Sequence, residues 1–424
     1  MYENCKGKKL LIIGVEENET LIRAAHDMGV YAICVDRDAD KFQCEAKKLA
    51  DEIWQMDYSD IPAVAEKCKQ NGVSGVMAGY SEFKVLHAAQ ISEALGLPFY
   101  ATTEQIDITR NKRTFKDLCI QYDVSIPKDY CFAKPLTEEE KNAVNYPVIV
   151  KPTDYAGSKG ITVCHNRDQL NAAIQHALEF SRSKTIICED FVEGTELMVI
   201  YTLKDGEISL SSVGEKHHAM DHEGCGGLCD AVVMPSRYLK KYQEEVDGNI
   251  RRLLQGIGAK NGMAFFQLIA NDERITCFEM GYRLNGNNDC RIIERYNGIN
   301  YMKMMISYSL TGNMGDDLKK DDPSFGAYLC TLCPHVKVGT VGRVEYSALS
   351  AYEWIDDIYS YIYPGKVIFD MNTSQCRGLL IKMQAKTLEE LAERIKAVQK
   401  GVTVTNAEGE NMLFKPFDTK RLFG

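Results

Sequence analysis

Tyr146-Pro147-Val148-Ile149-Val150-Lys151-Pro152, followed by Gly157-Ser158-Lys159-Gly160-Ile161, is the stretch on which the fold turns. An apolar strand ends on a lysine, and a small, glycine-flanked loop comes soon after. Burying a lysine at a strand end is costly unless it meets an anion. Glycines leave backbone N–H groups bare, with no Cβ between them and a phosphate. Either half alone reads as a solvent-facing lysine or an ordinary hairpin turn. The combination reads as a phosphate clamp. It is not a Walker-type loop, because the Gly-x4-Gly-Lys-Ser/Thr spacing ahead of a helix is missing.

On the N-terminal side, strands and helices alternate. The pattern predicts a buried parallel strand over Leu10–Val15, a helix over Thr20–Met28 stopped by Gly29, and a strand over Tyr31–Val35 ending on Asp36. A helix over Ile61–Gln70, a strand over Gly75–Ala78 and a helix over Phe83–Leu95 follow. This βαβ rhythm predicts an open parallel sheet of Rossmann-like build. Dinucleotide binding is disfavoured. The first turn, Gly14-Val15-Glu16-Glu17-Asn18-Glu19, lacks the spaced glycines and carries two glutamates that repel phosphate. Asp36 is read as a surface residue. Tyr80-Ser81-Glu82 either lines a substrate cleft at a strand end or forms a surface turn.

Beyond Tyr146, strands are predicted over Pro147–Lys151, Ile161–Cys164, Thr185–Glu189 and Glu196–Leu203, with a helix over Asp168–Phe180. A hairpin joins Ala264–Ala270 to Ile275–Met280, and a long helix spans Ile299–Leu310. The tail has a strand over Gly378–Met383 and a capping box, Thr387-Leu388-Glu389-Glu390, opening a helix to about Val398.

The order of these pieces resembles the ATP-grasp superfamily of ligases. Upstream of the clamp, Thr109-Arg110-Asn111-Lys112-Arg113 looks like the segment of the family's first ATP lysine, which makes Lys112 the first and Lys151 the second. Downstream, Ile186 to Glu196 is similar to the adenine hinge. The resemblance implies that backbone groups of Asp190, Phe191 and Val192 meet the adenine edge, with Glu189 near its amino group and Glu196 on the ribose hydroxyls. Gln267 on one hairpin strand and Glu279-Met280-Gly281-Tyr282-Arg283 at the end of the other resemble the family's magnesium and acyl-phosphate residues. Hard cations want oxygen ligands and bridge phosphates; Arg283 offers a bidentate fork.

Two positions depart from the common pattern: Gln267 stands where an acid is usual, and Gly281 where asparagine is usual. That puts a second metal in doubt, with Asn285, Asn287 and Asn288 as nearby oxygen donors. The resemblance implies an N-terminal Rossmann-like domain (1–105), a split ATP-grasp module (106–320) with a lid subdomain at about 125–195, and a small α+β C-terminal domain (321–424). It also implies an ATP-dependent carboxylate–amine ligase using Mg2+, with Mn2+ as the alternative ion, and a homodimer. Its rivals are a bicarbonate-using carboxylase or carbamoyl-phosphate-forming enzyme and a non-catalytic nucleotide-binding regulator.

Composition agrees. The chain has 424 residues, a formal net charge of -10 and ordinary apolar and charged fractions of 45% and 26%. That balance argues against nucleic-acid binding and leaves small-molecule partners. The N-terminal apolar run is too short for a signal or a membrane span. Fifteen scattered cysteines in strand-like runs are expected as free thiols of a reducing cytoplasm. The Gly214–Cys229 stretch, with His217, His218, His222, Cys225 and Cys229, looks like a zinc site by composition but crowds its ligands into one loop. It is read instead as a lid over nucleotide and substrate, with Lys216 reaching a phosphate. Cys330-Thr331-Leu332-Cys333 is read as buried thiols rather than a redox motif.

Overall fold

The computed structural model describes residues 2–130, 137–153, 160–219, 228–315, 318–370 and 376–424. Strands β1 (Lys9–Ile13), β2 (Tyr31–Asp36), β3 (Glu52–Gln55) and β4 (Val73–Ala78) form a parallel sheet in the order β3-β2-β1-β4. Leu10 to Ile13 is fully buried, as a sheet covered on both faces requires. Helices Glu19–Asp27, Ile61–Asn71 and Glu82–Leu95 alternate with these strands, close to the bounds that the periodicity predicts. The strand β3 has too few apolar residues to be read from pattern.

Asp36 corrects one expectation. It is buried rather than on the surface, and its Oδ1 accepts the Asp38 N–H at 3.0 Å, closing the turn after β2. The glutamates after β1 are also engaged, Glu17 with Lys84 and Glu16 with Lys366 at 2.9 Å.

Strand β5 (Val148–Pro152) runs antiparallel between β6 (Thr162–Cys164) and β7 (Ile186–Asp190). Helix Arg167–Phe180 packs Leu170, Ala173, Ile174 and Ala177 onto Val148, Val150 and Cys188 in a core separate from the rest. This three-stranded sheet and its helix fall within the stretch, about 125–195, expected as a lid.

The main sheet is larger than expected. It contains β8 (Thr195–Lys204), β9 (Glu207–His218), β10 (Cys229–Met234), β11 (Gly262–Ala270), β12 (Ile275–Gly281) and β13 (Tyr328–Leu332). After β14 (Gly339–Thr340) and β15 (Arg343–Glu345) come β16 (Ile355–Ser360), β17 (Val367–Ile368), β18 (Leu379–Ala385) and β19 (Thr403–Thr405). Eight of these strands form one sheet in the order β12-β11-β8-β9-β10-β13-β18-β16, while β14 pairs with β17 and β15 with β19. The sheet therefore runs on past residue 320, although a second apolar core gathers around the tail. Of the stretch read as one loop, Gly214–Cys229, the first residues to His218 end β9 and Cys229 opens β10, both inside the sheet. His222 and Cys225 lie outside the described residues.

The helix expected over Ile299–Leu310 is Tyr301–Thr311, capped by Asn300, whose Oδ1 accepts the Lys303 N–H at 3.0 Å. It lies against β4. A Cβ on Gly75 would stand 2.6 Å from the Ser309 carbonyl, so only glycine permits that approach. In the tail, Thr387 accepts the Glu390 N–H at 3.2 Å, but Glu390 reaches back to the Lys386 N–H at 2.7 Å, one residue short of a full capping box. Cys330 and Cys333 are buried and burial pushes both thiols up, which keeps them protonated and inert. No helix among the described residues is long and apolar enough to cross a membrane.

One buried ion pair ties the tail to the segment after β12. Lys382 is wholly buried on β18, with Nζ donating to the Asn287 carbonyl at 2.7 Å, Thr331 Oγ1 at 3.2 Å and Asp289 Oδ1 at 3.3 Å. Removing one partner of a buried pair strands the other charge. Lys382→Met is expected to cost about 3–5 kcal/mol in chemical denaturation, with part recovered when Asp289→Asn is added.

Candidate active site

The predicted phosphate lysine Lys151 is buried at the end of β5 and pairs with Glu189 on β7. Glu189 carries a second buried lysine, Lys116, from helix Lys112–Gln121; Lys116 also lies 3.8 Å from Asp129. Burial alone would raise the pKa of Glu189, but Lys151 and Lys116 hold it below its usual value. Lys116 was not among the predicted residues. Its signal was present, one helical turn past Lys112 on the face that buries Phe115 and Cys119.

Lys112 opens that helix after the cap Asn111, whose Oδ1 accepts the Arg113 N–H at 2.9 Å. Its own N–H meets the Thr153 carbonyl at 3.5 Å, just past β5. Lys112 thus stands where the clamp loop departs. Gly157, Ser158 and Lys159 lie outside the described residues; Gly160 is buried where the chain resumes.

The hinge expectation needs amending. The Asp190 N–H donates to the Lys128 carbonyl at 2.9 Å and the Phe191 N–H to the Pro147 carbonyl at 3.0 Å. These bonds hold the hinge to the lid, so two of the three N–H groups assigned to adenine are already spent. Val192 is the member whose N–H takes no acceptor among the described residues.

Glu196, at the start of β8, is enclosed by cations: Lys216 and His218 from β9 both hold its carboxylate, and the Gln267 amide donates to it at 3.3 Å. Burial raises its pKa, but Lys216 and His218 outweigh burial and take it down to about 2. The alternation of β9 explains why the two histidines differ. His218 faces Glu196, whereas His217 packs against Phe417 with ring centroids 5.4 Å apart. Burial lowers the His217 pKa to about 4.

Gln267 and Glu279 stand directly opposite each other across β11 and β12, as the predicted hairpin requires. Both are partly exposed and present oxygen donors side by side, a set that fits one hard cation. Among the described residues no group of three or more acidic, histidine or cysteine side chains is placed to hold a metal, so Gln267 and Glu279 stand as a pair. The asparagines do not extend it. Asn285 Oδ1 accepts from Tyr301 at 3.3 Å, and Asn288 Oδ1 accepts from the Tyr80 hydroxyl. Gly281 has a packing reason: a Cβ there would meet the Phe265 ring at 2.5 Å.

Arg283 lies over that same ring, 4.9 Å from its centroid, and forks onto Glu82 Oε1 at 2.6 and 3.1 Å. Tyr80-Ser81-Glu82 thus leads from β4 into the helix Glu82–Leu95 and meets the end of β12 through the Glu82–Arg283 pair. Burial would raise the Glu82 pKa, but Arg283, with Lys112 nearby, holds it low. The predicted residues thus converge from the N-terminal sheet, the lid and the main sheet.

Comparison with known proteins gives the same architecture. A family model described as "D-ala D-ala ligase C-terminus" matches residues 120–222. The carbamoyl phosphate synthase large chain of Clostridium botulinum is 24% identical over 301 residues, covering 66% of this chain and 27% of that protein. The chain thus spans about a quarter of the length of that relative. Among solved structures, an L-amino acid ligase from Bacillus licheniformis superposes with a TM-score of 0.77 at 16% identity, covering 94% of this chain and 99% of that one. The biotin carboxylase domain of Hydrogenobacter thermophilus 2-oxoglutarate carboxylase, in complex with MgADP, ADP and bicarbonate, gives 0.78 at 17% identity, covering 94% and 90%. The fold is that of the ATP-grasp ligases, as the sequence resemblance implied.

Two outcomes follow from the site. Gly281→Asn, which restores the commoner residue, is expected to cost about 1–3 kcal/mol through the clash with Phe265, without tightening Mg2+ binding in calorimetry. Acid unfolding should lose stability in two windows. His217, neutral and held at about 4 against 6.5, contributes fully above pH 6.5 and loses that contribution as pH falls towards 4. Glu196, held at about 2 against 4.5, contributes above 4.5 and loses it as pH falls through 2. In denaturant titrations, His217→Leu should flatten only the first window, worth on the order of 2 kcal/mol, and Glu196→Gln only the second.

Proposed function

We propose that this chain is an ATP-dependent ligase that activates a carboxylate as an acyl-phosphate and passes it to an amine, releasing ADP and phosphate. The observation that carries this reading is the set of cations Lys151, Lys216 and Arg283 on three separate elements, each balanced by its own carboxylate (Glu189, Glu196 and Glu82), with Glu279 close enough to act on Lys216. Buried cations matched only by movable carboxylates are ready to accept a polyphosphate.

In this reading Lys112 and Lys151 hold the α- and β-phosphates, and the Gly157–Gly160 loop with Ser158 and Lys159 covers the β,γ end. Val192 and neighbouring hinge atoms of Asp190 and Phe191 receive adenine; Glu189 faces its amino group, and Glu196 takes the ribose hydroxyls. Glu279, with the Gln267 oxygen, holds Mg2+ (or Mn2+), which when bound neutralises the phosphates. Lys216 and Arg283 stabilise charge on the transferring phosphoryl group and the acyl-phosphate. A substrate carboxylate oxygen attacks the γ-phosphorus and ADP leaves; the amine then attacks the acyl carbon, phosphate leaves and the amine proton passes to solvent. No nucleophilic side chain is required, so the chain's contribution is positioning and electrostatics. Amino acids or peptides as substrates, a homodimer and a cytoplasmic setting belong to the same proposal.

The neutral Gln267 favours one rival, a nucleotide binder without turnover. The test is ADP and phosphate release with Mg-ATP across amino acids and small carboxylates, singly and in pairs, with Glu279→Ala beside it. Turnover needing one carboxylate and one amine, reduced by about 100-fold or more in the variant, is expected. ATP binding with no turnover above the variant would reject the ligase in favour of the rival.

A further inference from the structure

Among the described residues, Lys116, Lys151, Lys216 and Arg283 are each matched by a carboxylate. Lys116 and Lys151 share Glu189, Lys216 holds Glu196, and Arg283 holds Glu82. Arg377, just ahead of β18, has no carboxylate within ion-pair distance among the described residues. Its Nη1 donates to the Gly286 carbonyl at 3.0 Å, and the guanidinium also reaches the Tyr361 hydroxyl oxygen. The guanidinium lies 5.6 Å from the centroid of the Tyr361 ring and is only partly exposed. A guanidinium carries five N–H donors, so most of this fork is unused.

Tyr361 adds a second unused donor. Its hydroxyl accepts from Asn288 Nδ2 at 3.3 Å, and its own proton finds no acceptor among the described residues. Burial raises its pKa, so the phenol keeps that proton. The pair stands at the reaction cleft rather than away from it. Gly286 and Asn288, which Arg377 and Tyr361 hold, belong to the segment that begins at Arg283. Cys229 lies close enough to feel both Arg377 and Lys216.

We infer that Arg377 and Tyr361 form a subsite for a carboxylate of the substrate other than the one that reacts beside Arg283. This rests on the ligase reading and narrows it: the substrate bears two acidic groups, or an α-carboxylate besides the reacting one. A fork with no carboxylate in ion-pair reach among the described residues, over an aromatic face and beside a phenol proton, suits planar, bidentate capture of a carboxylate. Arg283 and Arg377 then divide the work, one facing the acyl group and the other fixing the far end of the molecule.

The probes are malonate, succinate and L-glutamate, titrated calorimetrically into the full chain with Mg-ADP present. At least one is expected to bind saturably, at least 10-fold more weakly to Arg377→Gln and several-fold more weakly to Tyr361→Phe. Arg377→Lys, which keeps the charge and loses the fork, should fall between, and it serves where Arg377→Gln does not fold. Saturation by none of the three, or equal affinity in the arginine variants, overturns the subsite. Mg-ADP affinity and panel turnover in the same samples judge the ligase reading separately. A chain that turns over while Arg377→Gln binds the probes normally loses the subsite alone.

Discussion

Charge matching governs this cleft. Lys116 and Lys151 are buried on opposite sides of one carboxylate, Glu189, which offsets the cost of burying their charges. That single carboxylate joins a helix, the central lid strand and the strand leading to the hinge. Glu196 does the same between β8 and β9, and Glu82 between the N-terminal sheet and the end of β12. The lid and the two sheets are therefore held in register by pairs whose positive halves face the cleft. Exchange of a carboxylate for a phosphate leaves the lysines where they are, which is the form of preorganisation that electrostatic catalysis depends on.

The segment from Arg283 to Asp289 has to be rigid for that arrangement to matter, and it is fixed from three directions. Tyr80 of the first domain holds Asn288, Tyr301 holds Asn285, and Lys382 of the tail holds the Asn287 carbonyl and Asp289. Continuity of the main sheet makes this possible. Because β18 sits beside β13, a wholly buried lysine on it reaches back under the loop after β12. The tail is thus part of the frame that aims Arg283.

Much of this was legible in residue order, for reasons that differ by element. Parallel strands such as β1 announce themselves by unbroken apolar runs, and Gln267 faces Glu279 because a hairpin with matched strands leaves few registers. Strands β9 and β10 were hidden. Their polar and glycine-bearing residues, Ser211, Ser212, Gly214 and Lys216 among them, find partners only in the middle of a sheet. Lys116 was passed over because a lysine on an amphipathic helix usually faces solvent, and only Glu189, distant in sequence, makes burial tolerable. The resemblance could not show that the Asp190 and Phe191 N–H groups bond to Lys128 and Pro147, or that Tyr301 and Tyr80 donate to Asn285 and Asn288.

The two departures from the common ligase pattern also acquire a joint physical account. Gln267 donates its amide to Glu196 at 3.3 Å, so an acid at 267 would set a second carboxylate against one already committed to Lys216 and His218. Like charges at that separation disfavour ionisation of one partner. An amide removes the conflict and leaves a neutral oxygen acceptor on the residue paired with Glu279. Glycine at 281 admits the Phe265 ring, and that ring supports Arg283 from below. Gln267 thus serves the Glu196–Lys216 pair, and Gly281 serves the packing of Phe265 under Arg283. The leaving phosphate of such a site would be neutralised chiefly by one cation at Glu279 and by fixed protein cations, so loss of either Lys216 or Arg283 would remove charge that no second ion stands ready to replace.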